Sequence, residues 1–109
     1  MTFGSGDSPL EQIARAREDA TDEYVKAIDK EAELQNAYLK AHSAAILKLR
    51  DEGTPATALI AIANAMCAEE KWWWNVALAA KRSAWAKTDE LGDRLQAAQS
   101  YFRIVREQT

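Results

Sequence analysis

The chain has 109 residues, a formal net charge of −3, and only one cysteine, one histidine and four glycines. A single cysteine excludes a disulfide scaffold, and one histidine beside one cysteine excludes the usual zinc sites. Four glycines leave no phosphate-cradling loop beside ordinary turns. The acidic balance argues against a dedicated binder of nucleic acid or anionic membrane, both of which favour a basic surface.

About a fifth of the chain is alanine, and Ala, Leu, Glu, Lys, Gln and Arg together make up more than half of it. These are the strongest helix formers, and β-branched residues are few. The expected fold is all-α. Charge is uneven: residues 1–53 carry 7 basic and 11 acidic side chains, whereas residues 54–109 carry 7 and 6.

Residues 1–7 are Gly/Ser-rich without periodicity and read as a disordered tail. The single domain expected over 8–109 starts at Ser8-Pro9-Leu10-Glu11. There Ser8 can cap, Pro9 suits the first helical position and Glu11 completes a capping box. No further Gly or Pro occurs before Gly53, so a first helix is expected over about 9–51. Ile13, Ala20, Tyr24, Ala27, Leu34, Tyr38, Ala41 and Ala45 recur at heptad-like spacing and form its seam, with Arg17 and Glu31 interrupting it.

Gly53-Thr54-Pro55 is the turn, with Gly53 in a left-handed position after the helix, Thr54 as the next cap and Pro55 as the next first residue. A short helix follows over about 55–63, apolar almost all round, and such a helix must be buried. Asn64 is the candidate break before a last helix over about 66–106. Its seam is Trp74, Ala77, Ala84, Leu91, Leu95, Ala98, Phe102 and Val105. With this break the two long helices match in length as an antiparallel hairpin. Gly92 lies inside the last helix and marks either a weak point or a close approach. Alanine-rich seams bury little area, so the hairpin is expected to self-associate into a bundle, as a dimer or higher.

Trp72, Trp73 and Trp74 are consecutive and sweep more than half of a helix circumference, so they cannot share one seam. Trp74 points with Ala77 and Ala84. The structural reading has the three clasping the short helix on one side and the first helix or a second subunit on the other. The functional reading makes them, with Trp85, a partner or oligomer interface. Lys81, Arg82, Trp85 and Lys87 interleave cations with an aromatic ring, the pattern that suits single-stranded nucleic acid; the plainer reading is a solvated face. Glu18, Asp19, Asp22 and Glu23 form an acidic group that is either solvated or a docking face for a basic partner. His42 lacks the neighbours of a metal site, and Cys67 reads as an inert buried thiol. No nucleophile–base–acid set occurs, so no enzyme, cofactor or metal is expected.

The longest apolar stretch, Ala56 to Ala68, has thirteen residues, short of the roughly 20 needed to span a bilayer. Met1 to Pro9 lacks the basic and apolar regions of a secretory signal, so a cytoplasmic protein is expected. The secreted WxG-type antigens of Gram-positive bacteria place Trp-x-Gly at the hairpin turn. Here the turn is Glu52-Gly53-Thr54-Pro55, which sets that family aside.

The chain resembles small phage and prophage proteins of Gram-positive hosts in three pieces. These are the long charged first helix, the Gly-Thr-Pro-Ala-Thr connector at 53–57, and the run Leu95-Gln96-Ala97-Ala98-Gln99-Ser100-Tyr101-Phe102-Arg103. Members commonly break the helix with Gly-Asp after the connector, where this chain has Asn64-Ala65. Such proteins are often encoded near single-strand annealing or replication functions. The resemblance thus implies an accessory role in phage DNA replication or recombination, in the cytoplasm of a bacterial host. Two alternatives stand beside a non-catalytic interaction protein: a single-stranded DNA-binding accessory protein and an acidic inhibitor of a host protein.

Overall fold

Ser8 starts the first helix as its sequence predicts. In this computed structural model, which describes residues 8–108, Ser8 Oγ accepts the Glu11 N–H at 3.2 Å and Ser8 O accepts that of Gln12 at 3.0 Å. The tail expected over 1–7 lies outside the described residues. Helix α1 spans Pro9–Asp51, α2 spans Ala56–Met66 and α3 spans Ala68–Gln108. The fold is all-α, and α1 and α3 form an antiparallel helical hairpin. None of the helices is long and apolar enough, over the described residues, to cross a membrane.

The turn after α1 is built by backbone geometry. Gly53 has φ +81°, its N–H bonds Arg50 O at 3.0 Å, and the Thr54 N–H bonds Leu49 O at 2.9 Å. This pair of bonds is the Schellman closure of a helix C-terminus, and glycine enters the left-handed region at no steric cost. A Cβ at Gly53 would meet nothing within 4 Å, so the conformation, not crowding, calls for glycine.

Two details of α2 differ from expectation. Pro55 is the cap residue (φ −59°, ψ 140°) rather than the first helical residue, and no side chain caps the helix. Thr54 does not serve because the Schellman closure holds its backbone and the following proline restricts it to extended conformations. Pro55 O instead accepts the Ala58 and Leu59 N–H groups at 3.0 and 3.1 Å. The break into α3 falls at Cys67 (φ −105°, ψ 19°), three residues beyond Asn64. Asn64 lies inside α2, and its side-chain oxygen is 2.8 Å from His42 Nε2, so it reaches sideways to α1 instead of ending its own helix.

The chain divides into two compact units: one formed by the start of α1, up to Lys26, with α3 from Arg82 onward, and one spanning Ala27–Lys81. In the first, Ala20 of α1 and Thr88 of α3 are buried, with Ile13, Tyr24, Ala84, Leu91, Leu95 and Ala98 half-buried around them. Thr88 satisfies its hydroxyl on Ala84 O at 3.0 Å. The seam ends earlier than its sequence suggests, because Phe102 and Val105 are exposed. Arg17 lies against Gly92, and at that antiparallel register residues beyond Ser100 run past Pro9, where α1 begins.

Arg17 breaks the seam in the sequence, and Gly92 is what accommodates it. A Cβ on Gly92 would stand 3.3 Å from Arg17 Nε and 3.4 Å from its Cζ. The obstacle is the far end of an exposed, flexible side chain that can shift by a few tenths of an ångström. The helix-propensity gain therefore outweighs the contact, and Gly92→Ala is expected to raise stability by about 0.5–1 kcal/mol. A lower urea midpoint for this variant would show that Arg17 is held rigidly.

In the second unit the core is Ala45, Leu49, Leu59, Ala63 and Cys67, with Tyr38, Ala41 and Ile46 packed on it. Ala63 is 0% exposed, which places α2 in close contact with its neighbours there. The expectation that α2 is buried on all sides is corrected: Leu59 and Ala63 are buried, while Ile60, Ile62 and Met66 are exposed. Only the α2 stripe that faces this core is covered, since an 11-residue helix cannot turn all its faces toward one side.

Candidate interaction site

Trp74 is the tryptophan of the triplet that joins α1. Its ring stacks on Tyr38 with centroids 5.5 Å apart and planes at 28°, and its Nε1–H donates to Glu31 Oε1 at 3.1 Å. Glu31 also meets Lys81 Nζ at 3.8 Å, with side chains 13% and 29% exposed respectively. Lys71 Nζ lies 4.3 Å from the Trp74 ring centroid and 5.1 Å from that of Tyr38, within cation–π range of both. Tyr38 continues to His42 at 5.5 Å, and His42 to Asn64. A polar and aromatic chain, half-buried at Glu31, Tyr38 and Trp74 and exposed at Asn64 and Lys71, thus crosses all three helices of the second unit.

Glu31 is the residue that sequence reasoning undervalued. It reads as an interruption of the α1 seam, yet it accepts from two α3 side chains at once. The available signal was position: Lys81 stands four residues after Ala77 and three before Ala84, which puts a cation on the α3 seam to match an anion on that of α1. Its neighbours in the sequence group Lys81 with a basic face, and the structure places it half-buried against Glu31 of α1.

Trp72 and Trp73 behave differently from Trp74. They are 57% and 48% exposed and pack edge-to-face on each other with centroids 4.7 Å apart. The expectation that the triplet clasps α2 is therefore met only at its margin, where Trp72 lines a cleft of about 480 Å³ with Tyr38, Asn64 and Lys71. On a helix, residues 100° apart cannot follow Trp74 inward.

The remaining candidates lie in the first unit. Trp85 is half exposed and tilts over Tyr24 at a centroid distance of 5.3 Å. Lys87 approaches Glu23 at 3.7 Å, both well exposed, a kind of pair that contributes little. Arg82 is exposed, as are Glu18, Asp19, Asp22 and Glu23. One member of the acidic group therefore faces one member of the basic group across the hairpin.

Cys67 is buried at the α2–α3 junction. Burial pushes its thiol above the ordinary cysteine range, and the nearby Glu70 carboxylate adds to the shift. The thiol therefore stays protonated and poorly nucleophilic at neutral pH. Reaction with a thiol reagent is expected at least tenfold slower in the folded protein than in urea. Equal rates would place Cys67 in solvent. The sign for stability follows: as pH rises past the ordinary thiol range, the unfolded chain loses the proton first, and folded stability falls.

Among the described residues no group of three or more His, Cys, Asp or Glu side chains is placed to hold a metal ion. Comparison of the chain with protein-family models, with curated proteins and with solved structures finds no match.

Proposed function

We propose that this chain is a non-catalytic helical interaction protein that works as a homo-oligomer, of phage or prophage origin and accessory to phage DNA replication or recombination in the host cytoplasm. The observation that carries the interaction reading is an imbalance of apolar side chains. Among the described residues fifteen large apolar side chains are exposed, including Leu39, Leu47, Ile60, Trp72, Trp73 and Trp85, whereas the only large aliphatic ones buried are Leu49 and Leu59. Scattered exposed apolar residues are normal on a monomer, but such a ratio marks surface that a partner covers. The phage assignment rests on the sequence resemblance alone.

Sedimentation velocity of the pure protein, with and without a labelled single-stranded oligonucleotide at two salt concentrations, tests the reading. A dimer or higher species that ignores the oligonucleotide is expected. A monomer at high protein concentration would refute self-association. Co-sedimentation that weakens with salt would instead point to phosphate contacts and the DNA-binding alternative.

A further inference from the structure

Helix α1 carries a second stripe, separate from the seam that meets α3. Within the second unit, Ile28, Ala32, Asn36, Leu39, Ser43 and Leu47 are all exposed. At 100° per residue they fall within about 100° of the helix circumference, turned roughly 160° from the seam of Leu34, Tyr38, Ala41 and Ala45. A helix with two such stripes is built to pack on both sides.

The charges beside this stripe say what covers it. The residue following each stripe member lies along one flank, which reads Asp29, Glu33, Ala37, Lys40, Ala44, Lys48. Its first half is acidic and its second half basic. We infer that the Ile28–Leu47 face of α1 docks antiparallel on the same face of a second copy of this chain, about a two-fold axis near residues 37 and 38.

Such an axis brings like flanks together with their directions reversed. Asp29 and Glu33 of each copy then stand within two residues, about 3 Å along the helix, of the positions opposite Lys48 and Lys40 of the other, within reach of four reciprocal ion pairs. In the stripe itself Ile28 meets Leu47, and Ala32 meets Ser43, so large opposes large at the ends and small opposes small between. Asn36 and Leu39 flank the axis, and a polar side chain in such a seam sets register at some cost in stability. A parallel pair would place the two charged flanks on opposite outer sides, where they never meet. Within the chain, Glu33 of this flank also pairs with Lys30 at 3.7 Å, but both side chains are well exposed and the pair competes only weakly.

This inference rests on the self-association reading, and charge exchange separates the two. Two variants of the full chain are compared with the wild type by sedimentation velocity. Lys40→Glu with Lys48→Glu makes the whole flank acidic, and Asp29→Lys with Glu33→Lys makes it basic. All four sites are exposed, and far-UV circular dichroism checks that each variant stays helical. Each variant alone is expected to self-associate at least tenfold more weakly than the wild type, and an equimolar mixture is expected to restore the association. Wild-type association in both variants would overturn this face while leaving self-association standing. Weak association in both variants without rescue on mixing would overturn the antiparallel pairing. A monomeric wild type would overturn both readings.

Discussion

Leu59→Ala is expected to destabilise the protein by about 2–4 kcal/mol, the range for emptying a leucine-sized volume in a core that cannot collapse around it. Leu59 and Leu49 are the only large side chains in the buried cluster of the second unit, and the other members are Ala45, Ala63 and Cys67. Small buried neighbours on fixed helices supply few atoms with which to fill the gap, and Tyr38 and Ile46 only border it. Domains of this size have roughly 5–15 kcal/mol in all, so the loss is a large share of the total. The neighbouring Ile60→Ala, on the exposed face of α2, is expected to cost under about 1 kcal/mol. Urea unfolding at one fixed protein concentration measures both, because association would couple to the apparent stability. Equal losses at 59 and 60 would mean that the α2 faces are assigned wrongly.

Removing the Glu31 carboxylate is expected to cost about 2 kcal/mol. Glu31→Ala leaves the half-buried Trp74 N–H and the Lys81 ammonium without their acceptor, and an orphaned partner costs more than the bond contributed. Glu31→Gln keeps an acceptor for the indole and is expected to lose less than half as much. Pairing Glu31→Leu with Lys81→Met removes donor and acceptor together and is expected to recover most of the loss. If the double variant were no more stable than Glu31→Ala, the pair would have no coupling to explain.

The long helices were readable because each is a periodic pattern bounded by chemistry that ends helices. Ser8 and Gly53 act where their residue types predict, and every α1 seam residue named from spacing is buried or half-buried, from Ile13 to Ala45. Spacing on one helix cannot show what the opposite helix supplies. Arg17 and Glu31 therefore look like faults until Gly92, Trp74 and Lys81 are placed against them. The break falls at Cys67 and not at Asn64 for a related reason. Asn64 is a poor helix former with a side chain that competes for backbone groups, but His42, 22 residues away, engages that side chain first. Residue type alone does not separate Trp72 and Trp73 from Trp74, since tryptophan is mostly buried on average but follows its helix face when the two disagree. For the candidate surfaces, the sequence showed which charges cluster and not which of them the hairpin neutralises.

The junction at Cys67 has a consequence for how the chain tolerates changes of length. One non-helical residue joins α2 to α3, and backbone bonds bracket it: its N–H reaches Ala63 O at 3.1 Å, and its carbonyl accepts the Lys71 N–H at 3.0 Å. The angular phase of α3 is therefore slaved to that of α2. A single inserted or deleted residue would rotate one helix against the other by about 100°. Either Leu59 and Ala63 or Trp74 and Ala77 would then leave α1. The turn at Glu52 to Pro55 divides its bonds between residues, Thr54 N–H closing α1 and Pro55 O opening α2, so no single residue locks the two helices in phase, and its exposed glycine leaves room for extra chain. Insertions and deletions should accumulate at that turn and be purged at Cys67, so in this hairpin the second bend serves as a ruler and the first as a splice point.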